Sequence, residues 1–314
     1  MKTSSKLSAF FVGLLMLLAA FSPAFALPSL ITADGMSTAS INGQTPAASY
    51  NWGGYAVTSS AVTSASGSWI VPTMTAGASP TTTYYSAFWV GIDGFSSSTV
   101  EQTGILSETK GTSTTYFAWY EFYPAGMYEI NTATSTTTGK PVPATVTSGD
   151  TMTATVTYVG SVAGVFSSPS GPFSSSSSVF SSPIGAFSSP GRDPPGRSSG
   201  SEFTATITDT KAGWSYTYTG TVSNAARSSA EWIVETPSVN GRIASLADFG
   251  TASFSSCSAA TASGPISLSS SSVYAITIVA ENKAETTMAT PSTPLSLSTS
   301  GEGSFTDTWV SAGP

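Results

Sequence analysis

The chain has 314 residues, of which 9% are charged, and its 10 basic and 17 acidic residues give a net charge of −7. It contains no histidine and a single cysteine, Cys257. These counts exclude catalysis by a Ser-His-Asp or Cys-His pair, the common histidine zinc sites and a framework of intrachain disulfides. The acidic balance also argues against a nucleic acid as partner.

Residues 1–26 have the features of a secretory signal peptide. Lys2 and Lys6 precede an apolar run at residues 9–21, which is too short to span a bilayer, and residues 24–26 form a small-x-small cleavage motif. The sequence therefore predicts a secreted, extracellular protein that has no membrane partner once the signal is removed. Cleavage would leave 8 basic and 17 acidic residues, a net charge of −9.

The remaining chain divides into a short polar arm and one large β domain. Residues 27–50 lack periodicity, and we expect a propeptide or flexible arm there. From residue 51 to residue 314, short alternating segments are separated by Gly, Pro, Ser and Thr, which predicts an all-β antiparallel sandwich. The candidate strands are Gly54–Thr58, Gly67–Val71, Ser86–Ile92, Thr115–Phe122, Met152–Val159, Phe203–Asp209, Trp214–Tyr218, Ser229–Val234, Val273–Ala280 and Phe305–Val310.

Residues 164–200 interrupt this pattern. They are rich in Ser, Pro, Gly and Phe, and Phe-Ser-Ser-Pro begins at positions 166, 180 and 187. Such a composition buries too little apolar surface to offset chain entropy, so we expect a disordered insertion within a hairpin. The repeated Phe residues leave open a segment that lies on the sheet. Residues 209–213 predict a hairpin turn between the next two strands.

The strand at residues 229–235 places carboxylates in an unusual position. Side chains alternate between the faces of a strand, so Glu231, Ile233 and Glu235 share one face and Ala230, Trp232 and Val234 share the other. Two interpretations are open: a half-exposed strand with polar residues outward, or a carboxylate held in a cleft for chemistry.

Aromatic and acidic residues also concentrate elsewhere, at residues 88–94, 100–104 and 116–124. Trp and Tyr beside Asp, Glu and Gln on strands predict an aromatic-walled groove across a sheet. The alternative is an ordinary sandwich core, which we expect for Trp69 and Trp309.

Seven motifs in order resemble the eqolisins, a family of secreted, acid-active, pepstatin-insensitive glutamic endopeptidases. The resemblance implies two bent antiparallel sheets in a concanavalin-like jelly roll, with the substrate on a concave face. It covers residues 51–314 apart from the insertion. The motifs are Asn-Trp-Gly-Gly-Tyr at 51–55, Trp-Ile-Val-Pro at 69–72, Trp-Val-Gly-Ile-Asp-Gly at 89–94, Glu-Gln-Thr-Gly at 101–104, Ala-Trp-Tyr-Glu-Phe-Tyr-Pro at 118–124, Ala-Glu-Trp-Ile-Val-Glu at 230–235 and Ala-Asp-Phe-Gly at 247–250.

The resemblance implies a catalytic pair of Glu231 and Gln102, a peptide or protein substrate, a monomer, and neither a metal nor another cofactor. It also implies a set of residues that line or support the groove: Trp52, Trp89, Asp93, Trp119 and Glu121. Two features depart from the fungal members. Phe117 replaces an acidic residue, and the chain lacks paired cysteines, in which it is similar to a prokaryotic branch.

These residue types suit peptide hydrolysis in acid. An ionised Glu231 would take a proton from water, and the amide of Gln102 would stabilise the oxyanion. Two alternatives remain. A retaining glycosidase would pair Glu121 with Glu231, with the carboxyl groups about 5–5.5 Å apart. A carbohydrate-binding sandwich without catalysis would use the aromatic residues alone.

Overall fold

The structure, a computed structural model, describes residues 43–163, 199–282 and 284–313, and this part of the chain contains strands and no helix. No helix long and apolar enough to cross a membrane is found there. In chain order the strands are β1 (Thr45–Ser49), β2 (Trp52–Thr58), β3 (Val62–Ile70), β4 (Thr83–Ile92), β5 (Val100–Lys110), β6 (Ser113–Tyr123), β7 (Tyr128–Ile130), β8 (Thr132–Ser135), β9 (Pro141–Pro143), β10 (Thr151–Ala163), β11 (Ser199–Asp209), β12 (Trp214–Ser223), β13 (Ser229–Glu235), β14 (Ser238–Val239), β15 (Arg242–Ile243), β16 (Ser245–Leu246), β17 (Thr251–Thr261), β18 (Gly264–Pro265), β19 (Val273–Val279), β20 (Thr287–Pro291), β21 (Ser296–Leu297) and β22 (Gly303–Trp309).

The strands form two layers. The first runs in the order β1-β19-β2-β13-β4-β5-β6-β7, and the second in the order β22-β17-β3-β10-β11-β12-β8-β9. Strand β20 pairs with both β19 and β22 and so joins the layers at one side. All pairings among these strands are antiparallel except β1 with β19, and the two-residue strand β16 adds a parallel pairing to β4. The predicted all-β antiparallel architecture is confirmed.

Apolar side chains from both layers fill the space between them. The Phe122 ring of β6 meets the Phe203 ring of β11 edge-on, with centroids 6.3 Å apart. The indole of Trp232 in β13 donates a 2.7 Å hydrogen bond to the carbonyl of Ser66 in β3. Trp69 is buried in this core and Trp309 packs against it, as expected, and the free thiol of Cys257 is buried.

The outer face of the second layer carries rows of hydroxyl groups in register. One row crosses five strands through Ser258, Ser66, Thr155, Thr206 and Thr217. Neighbouring hydroxyls within it are hydrogen-bonded, at 2.9 Å between Ser66 and Ser258 and 3.0 Å between Thr206 and Thr217. We call these rows the hydroxyl ladders.

The ten candidate strands are all present, most of them longer than predicted, and two of the predicted segment boundaries differ from the structure. The arm predicted at residues 27–50 is wrong for its last part, because Thr45–Ser49 pairs in parallel with β19. This strand is too short and polar to show alternation in the sequence, and its backbone is ordered by pairing with β19. Residues 27–42 lie outside the described residues.

The insertion predicted at residues 164–200 also ends too late. Ser199 and Gly200 belong to β11, where they pair with Ala163 and Val162 of β10. The flanking hairpin is therefore as predicted, and residues 164–198 lie outside the described residues. The turn at residues 209–213 joins β11 to β12, with Gly213 at φ +76° and the Asp209 carboxylate accepting the N–H groups of Lys211 and Ala212.

Candidate active site

Strand β13 is the centre of the candidate site. Ala230, Trp232 and Val234 lie in the main core between the layers, while Ile233 belongs to a second cluster on the opposite face of the first layer. All seven residues of β13 are buried, and Glu231 has no exposed surface. The predicted alternation is therefore confirmed, and the half-exposed interpretation of this strand is wrong. We call the face that carries Glu231 the groove face.

Glu231 and Gln102 lie in one row across the groove face. Glu231 pairs with Gly91 of β4, Gly91 pairs with Gln102 of β5, and Gln102 pairs with Glu121 of β6. On its other side Glu231 pairs with Ala56 of β2. Strands lie ~4.8 Å apart, so the Glu231 and Gln102 backbones are separated by about 10 Å. The only residue between them in this row is a glycine, and the Trp89 ring lies 2.9 Å from where its Cβ atom would be.

The next row along the strands carries the tryptophans. Trp89 of β4 and Trp119 of β6 are separated by Gly104 of β5, where a Cβ atom would lie only 2.5 Å from the Cβ of Trp89. Trp52 meets Trp89 edge-on, with ring centroids 4.7 Å apart. The structure thus brings the three predicted groove tryptophans together on the same face as Glu231 and Gln102, and all three are buried.

Glu235 is a member of this group that the sequence did not single out for a role. Its carboxylate accepts hydrogen bonds from the Trp89 indole at 2.9 Å and from the Asn51 side-chain amide at 3.4 Å. It therefore fixes the orientation of the Trp89 ring. The signal was available, because Glu235 is four residues after Glu231 and so projects from the same face.

A hydrogen bond orients the Gln102 amide. Its Nε2 atom donates to Oε2 of Glu121 over 2.7 Å, while Oε1 has no partner among the described residues. Burial raises the pKa of Glu121 to about 8, against a lowering effect of the Gln102 hydrogen bond. An amide with one N–H held by Glu121 keeps its second N–H for another acceptor.

The Glu231 carboxyl is buried in surroundings that disfavour its ionised form. Neither of its oxygens has a hydrogen-bond partner of regular geometry in the described part of the chain, and the nearby Ser229 hydroxyl is a poorly aligned donor. Burial raises its pKa well above the ordinary glutamate value, the charges of Asp93 and Glu101 act in the same direction, and the Ser229 hydroxyl and the Phe95 backbone act in the opposite one. Phe95 in turn lies against Tyr274, with ring centroids 4.7 Å apart.

Asp93 supports the site from the end of β4. It has φ +70°, and its carboxylate accepts the backbone N–H groups of Arg227 and Ser228 at 2.6 and 2.7 Å and the Ser228 hydroxyl at 3.0 Å. These bonds hold the segment that leads into β13. The Asp93 carboxylate therefore binds the backbone of residues 227–228, next to the strand that carries Glu231.

Glu101 is a buried acid that sequence reasoning did not isolate. It is fully buried, its oxygens have no partner among the described residues, and it pairs with Ile92 and Phe122 on the core side of β5. Burial raises its pKa well above the ordinary value, and the charge of Asp93 adds to this. Its alternation with Gln102 was the only sequence signal of its inward direction.

The arrangement suits some chemistries and not others. Three strand spacings, about 14 Å between backbones, separate Glu231 from Glu121, with Gln102 between them. This does not favour the directly paired carboxylates of a retaining glycosidase. A carboxyl and a primary amide facing one space match a base and an oxyanion donor. Among the described residues, no three His, Cys, Asp or Glu side chains are grouped to hold a metal ion.

Comparison with known proteins agrees with this geometry. The profile of the Peptidase A4 family matches residues 50–170 and 197–298. The chain belongs to the Peptidase A4 family. This family, the eqolisins, consists of glutamic-type endopeptidases, and the chain is an enzyme of that type.

Relatives of known sequence and structure are similar to the chain over most of its length. Aspergillopepsin-2 of Aspergillus niger is 25% identical over 248 residues, which cover 73% of this chain and 70% of the relative. Scytalido-glutamic peptidase with a transition-state analogue inhibitor has a TM-score of 0.55 and 19% identity, covering 83% of this chain and 98% of the other. The eqolisin SCP-B in complex with the tripeptide Ala-Ile-His has a TM-score of 0.51 and 19% identity over the same shares.

Proposed function

We propose that this endopeptidase is secreted, works in acid and cleaves peptide bonds with Glu231 as general base and Gln102 as oxyanion donor. The observation that carries the proposal is the row Glu231–Gly91–Gln102–Glu121 across the groove face. It places one carboxyl and one amide on the two sides of a glycine, with the Trp89 ring packed beside that glycine.

In this mechanism the scissile carbonyl occupies the space over Gly91. Ionised Glu231 accepts a proton from the attacking water, the carbonyl carbon becomes tetrahedral, and its oxygen takes the negative charge. The free N–H of Gln102 donates to that oxygen, while Glu121 holds the other N–H. Glu231 then gives its proton to the leaving amine and returns to its starting state.

The chemistry of both groups suits acid conditions. An amide donates hydrogen bonds at any pH, and neither group becomes a cation in acid. The raised pKa of Glu231 makes its ionised form a stronger base than a free glutamate, and it also reduces the ionised fraction as the pH falls. The signal-like residues 1–26, which lie outside the described residues, support secretion.

Three variants of the purified protein test the proposal on one peptide and one β-glucan between pH 2 and 6. Glu231→Gln removes the base with little change in volume, so we expect peptide hydrolysis to fall by at least ~10³-fold with an unchanged Tm. Gln102→Glu replaces a donor by a group that repels an oxyanion when ionised, and we expect a loss of at least ~10²-fold.

Glu121→Gln is the matched control, because it makes the same chemical change as Glu231→Gln in the same row. It should leave peptide hydrolysis within about tenfold of the wild type, since a glutamine oxygen can still accept from Gln102. Wild-type peptidase activity in Glu231→Gln would overturn the assignment. Release of reducing sugar that depends on Glu121 would instead support the glycosidase.

A further inference from the structure

Strand β12 has an edge that the described strands leave unpaired over most of its length. It pairs with β11 along its whole length, but on the other side β8 pairs only with Trp214 and Ser215. No described strand pairs with that side of residues 216–223, which extend over about 27 Å. Alternate residues there direct a backbone N–H and C=O away from β11. β12 contains no charged residue and no proline, the usual devices that protect an edge.

Tyrosine side chains form a wall behind this edge. Tyr120 of β6 stacks on Tyr218 of β12, with ring centroids 4.1 Å apart, and on Tyr128 of β7 at 5.4 Å. Tyr216 lies 5.8 Å from the same ring. Tyr128 is 44% exposed, so the wall reaches solvent. Because Tyr120 lies between Trp119 and Glu121, this wall is the reverse side of the strand that borders the groove face.

Open spaces lie at both ends of the edge. One, of about 400 Å³, is lined by Thr132 and Thr134 of β8 together with residues 215–217. The other, also about 400 Å³, is lined by residues 221–224 together with Phe122 and the turn at Pro124 and Ala125. A strand added to β12 would continue the line of β8 and would have room for its side chains at each end.

The charge and the shape of the edge select the occupant. Thr217, Thr219 and Thr221 are exposed on one face of β12 and the tyrosines lie on the other, so the edge complements an uncharged extended backbone. Arg227, four residues after the end of β12, is held over the Tyr158 ring at 3.8 Å. β8 and the turn at residues 124–125 border the edge at its two ends, which suits one extended segment rather than the sheet of a second folded copy.

We propose that the edge of β12 at residues 216–223 binds an extended segment of an unfolded protein substrate by β-strand addition, outside the catalytic groove. Main-chain hydrogen bonds give the affinity in this mode, and side-chain spaces give the preference. The identity of the bound chain as substrate rests on the proposed function, whereas the binding itself does not. A bound substrate would pass around the three-residue strand β7 to reach the groove face.

Binding is tested in the Glu231→Gln protein at pH 4 with a fluorescein-labelled peptide of ten alternating Thr and Val residues followed by two lysines. We expect amide hydrogen exchange in residues 216–223 to slow by at least about fivefold when the peptide is present, with no comparable change in β5 or β13. Thr219→Pro should weaken binding by at least about tenfold in fluorescence anisotropy. Thr299→Pro, at the second position of the turn Ser298–Gly301, should leave binding unchanged.

Two further readouts keep the proposal falsifiable. If the Thr219 N–H pairs with β11, Thr219→Pro will lower Tm. In that case the amide hydrogen exchange of residues 216–223 in the protein without this substitution decides the test. In the active enzyme, Thr219→Pro should lower kcat/KM for denatured casein and not for a six-residue peptide. If the wild type cleaves neither substrate, that result counts against the proposed function instead. Absence of protection at residues 216–223 would overturn the proposal, as would a concentration-dependent dimer that protects the same amides without peptide.

Discussion

Gln102 donates a 2.7 Å hydrogen bond to Glu121 from the next strand, and both side chains are buried. The bond decides which way the amide faces, because an unanchored glutamine amide can turn its oxygen toward the substrate as easily as its nitrogen. In the described structure the carbonyl oxygen of Gln102 remains without a partner, so the Glu121 bond is the orienting contact.

The first prediction concerns that anchor. Glu121→Leu removes the acceptor and should lower kcat by at least about hundredfold, close to the loss of an oxyanion donor itself. Glu121→Gln retains an acceptor and should stay within about tenfold of the wild type. Steady-state kinetics on one peptide separates them, with Tm as the measure of folding. Equal activity of the two variants would show that the amide needs no anchor.

A second prediction follows from the glycine between the two proposed catalytic residues. A Cβ atom at Gly91 would lie 2.9 Å from the Trp89 ring and 3.2 Å from the Cβ of Gln102. Gly91→Ala should therefore lower kcat by at least about tenfold while costing about 1–3 kcal/mol of stability. Gly160→Ala, where no atom lies within 4 Å of the added Cβ, is the control. Loss of Tm without loss of kcat would contradict a role for this space.

The acid limb of the pH–rate profile reports Glu231. Burial raises its pKa above 4.5, so activity as a general base should fall as pH drops through a value higher than that of an ordinary glutamate. The Ser229 hydroxyl lowers this pKa, and Ser229→Ala should move the acid limb of kcat/KM to higher pH. A limb that stays in place or moves to lower pH would show that another group controls it.

Stability should fall as the solution becomes less acid. Asp307 is fully buried with no partner for either oxygen among the described residues, and burial raises its pKa well above 3.8. The folded state therefore keeps a proton that the unfolded state loses. The stability from this group is complete below pH ~4 and is lost at about 1.4 kcal/mol per pH unit up to the folded pKa. Glu101 acts in the same direction.

Asp307→Asn tests this dependence, because it removes the ionisation and keeps the volume. We expect the wild type to lose more Tm than the variant between pH 4 and pH 7. Asp248→Asn, at an exposed turn position where the carboxylate accepts the Gly250 N–H, is a comparison that should not flatten the profile. Parallel losses of Tm in Asp307→Asn and the wild type would exclude Asp307 as a source.

The sequence predicts those features that depend on neighbours along the chain. The alternation at residues 229–235 places Glu231 and Ile233 on one face, as found. Strand β5, which carries Gln102, was not among the candidate strands. Both of its faces are buried, and its polar and glycine residues obscure the alternation of apolar and polar residues that predicts a strand. Gln102 was identified from its resemblance to a family motif and not from the periodicity of the strand.

The row of the site could not be read in the same way. Glu231, Gly91 and Gln102 meet through strand register, and pairing between β13 and β4 joins residues about 140 positions apart. A slip of one residue would turn Gln102 to the core and Glu101 to the groove face. The local sequence pattern does not determine this register, because the register depends on burial in both layers at once. The same holds for Glu235, whose bond to Trp89 joins two neighbouring strands that are distant in sequence.

The hydroxyl ladders give the outer face of the second layer its water affinity without ions. A hydroxyl that donates to one neighbour can still accept from and donate to water, and this does not change with pH or added salt. Most proteins lose solubility near the isoelectric point, where charge repulsion between molecules vanishes. Because this face binds water through neutral groups, the enzyme should remain dispersed as its carboxylates take up protons.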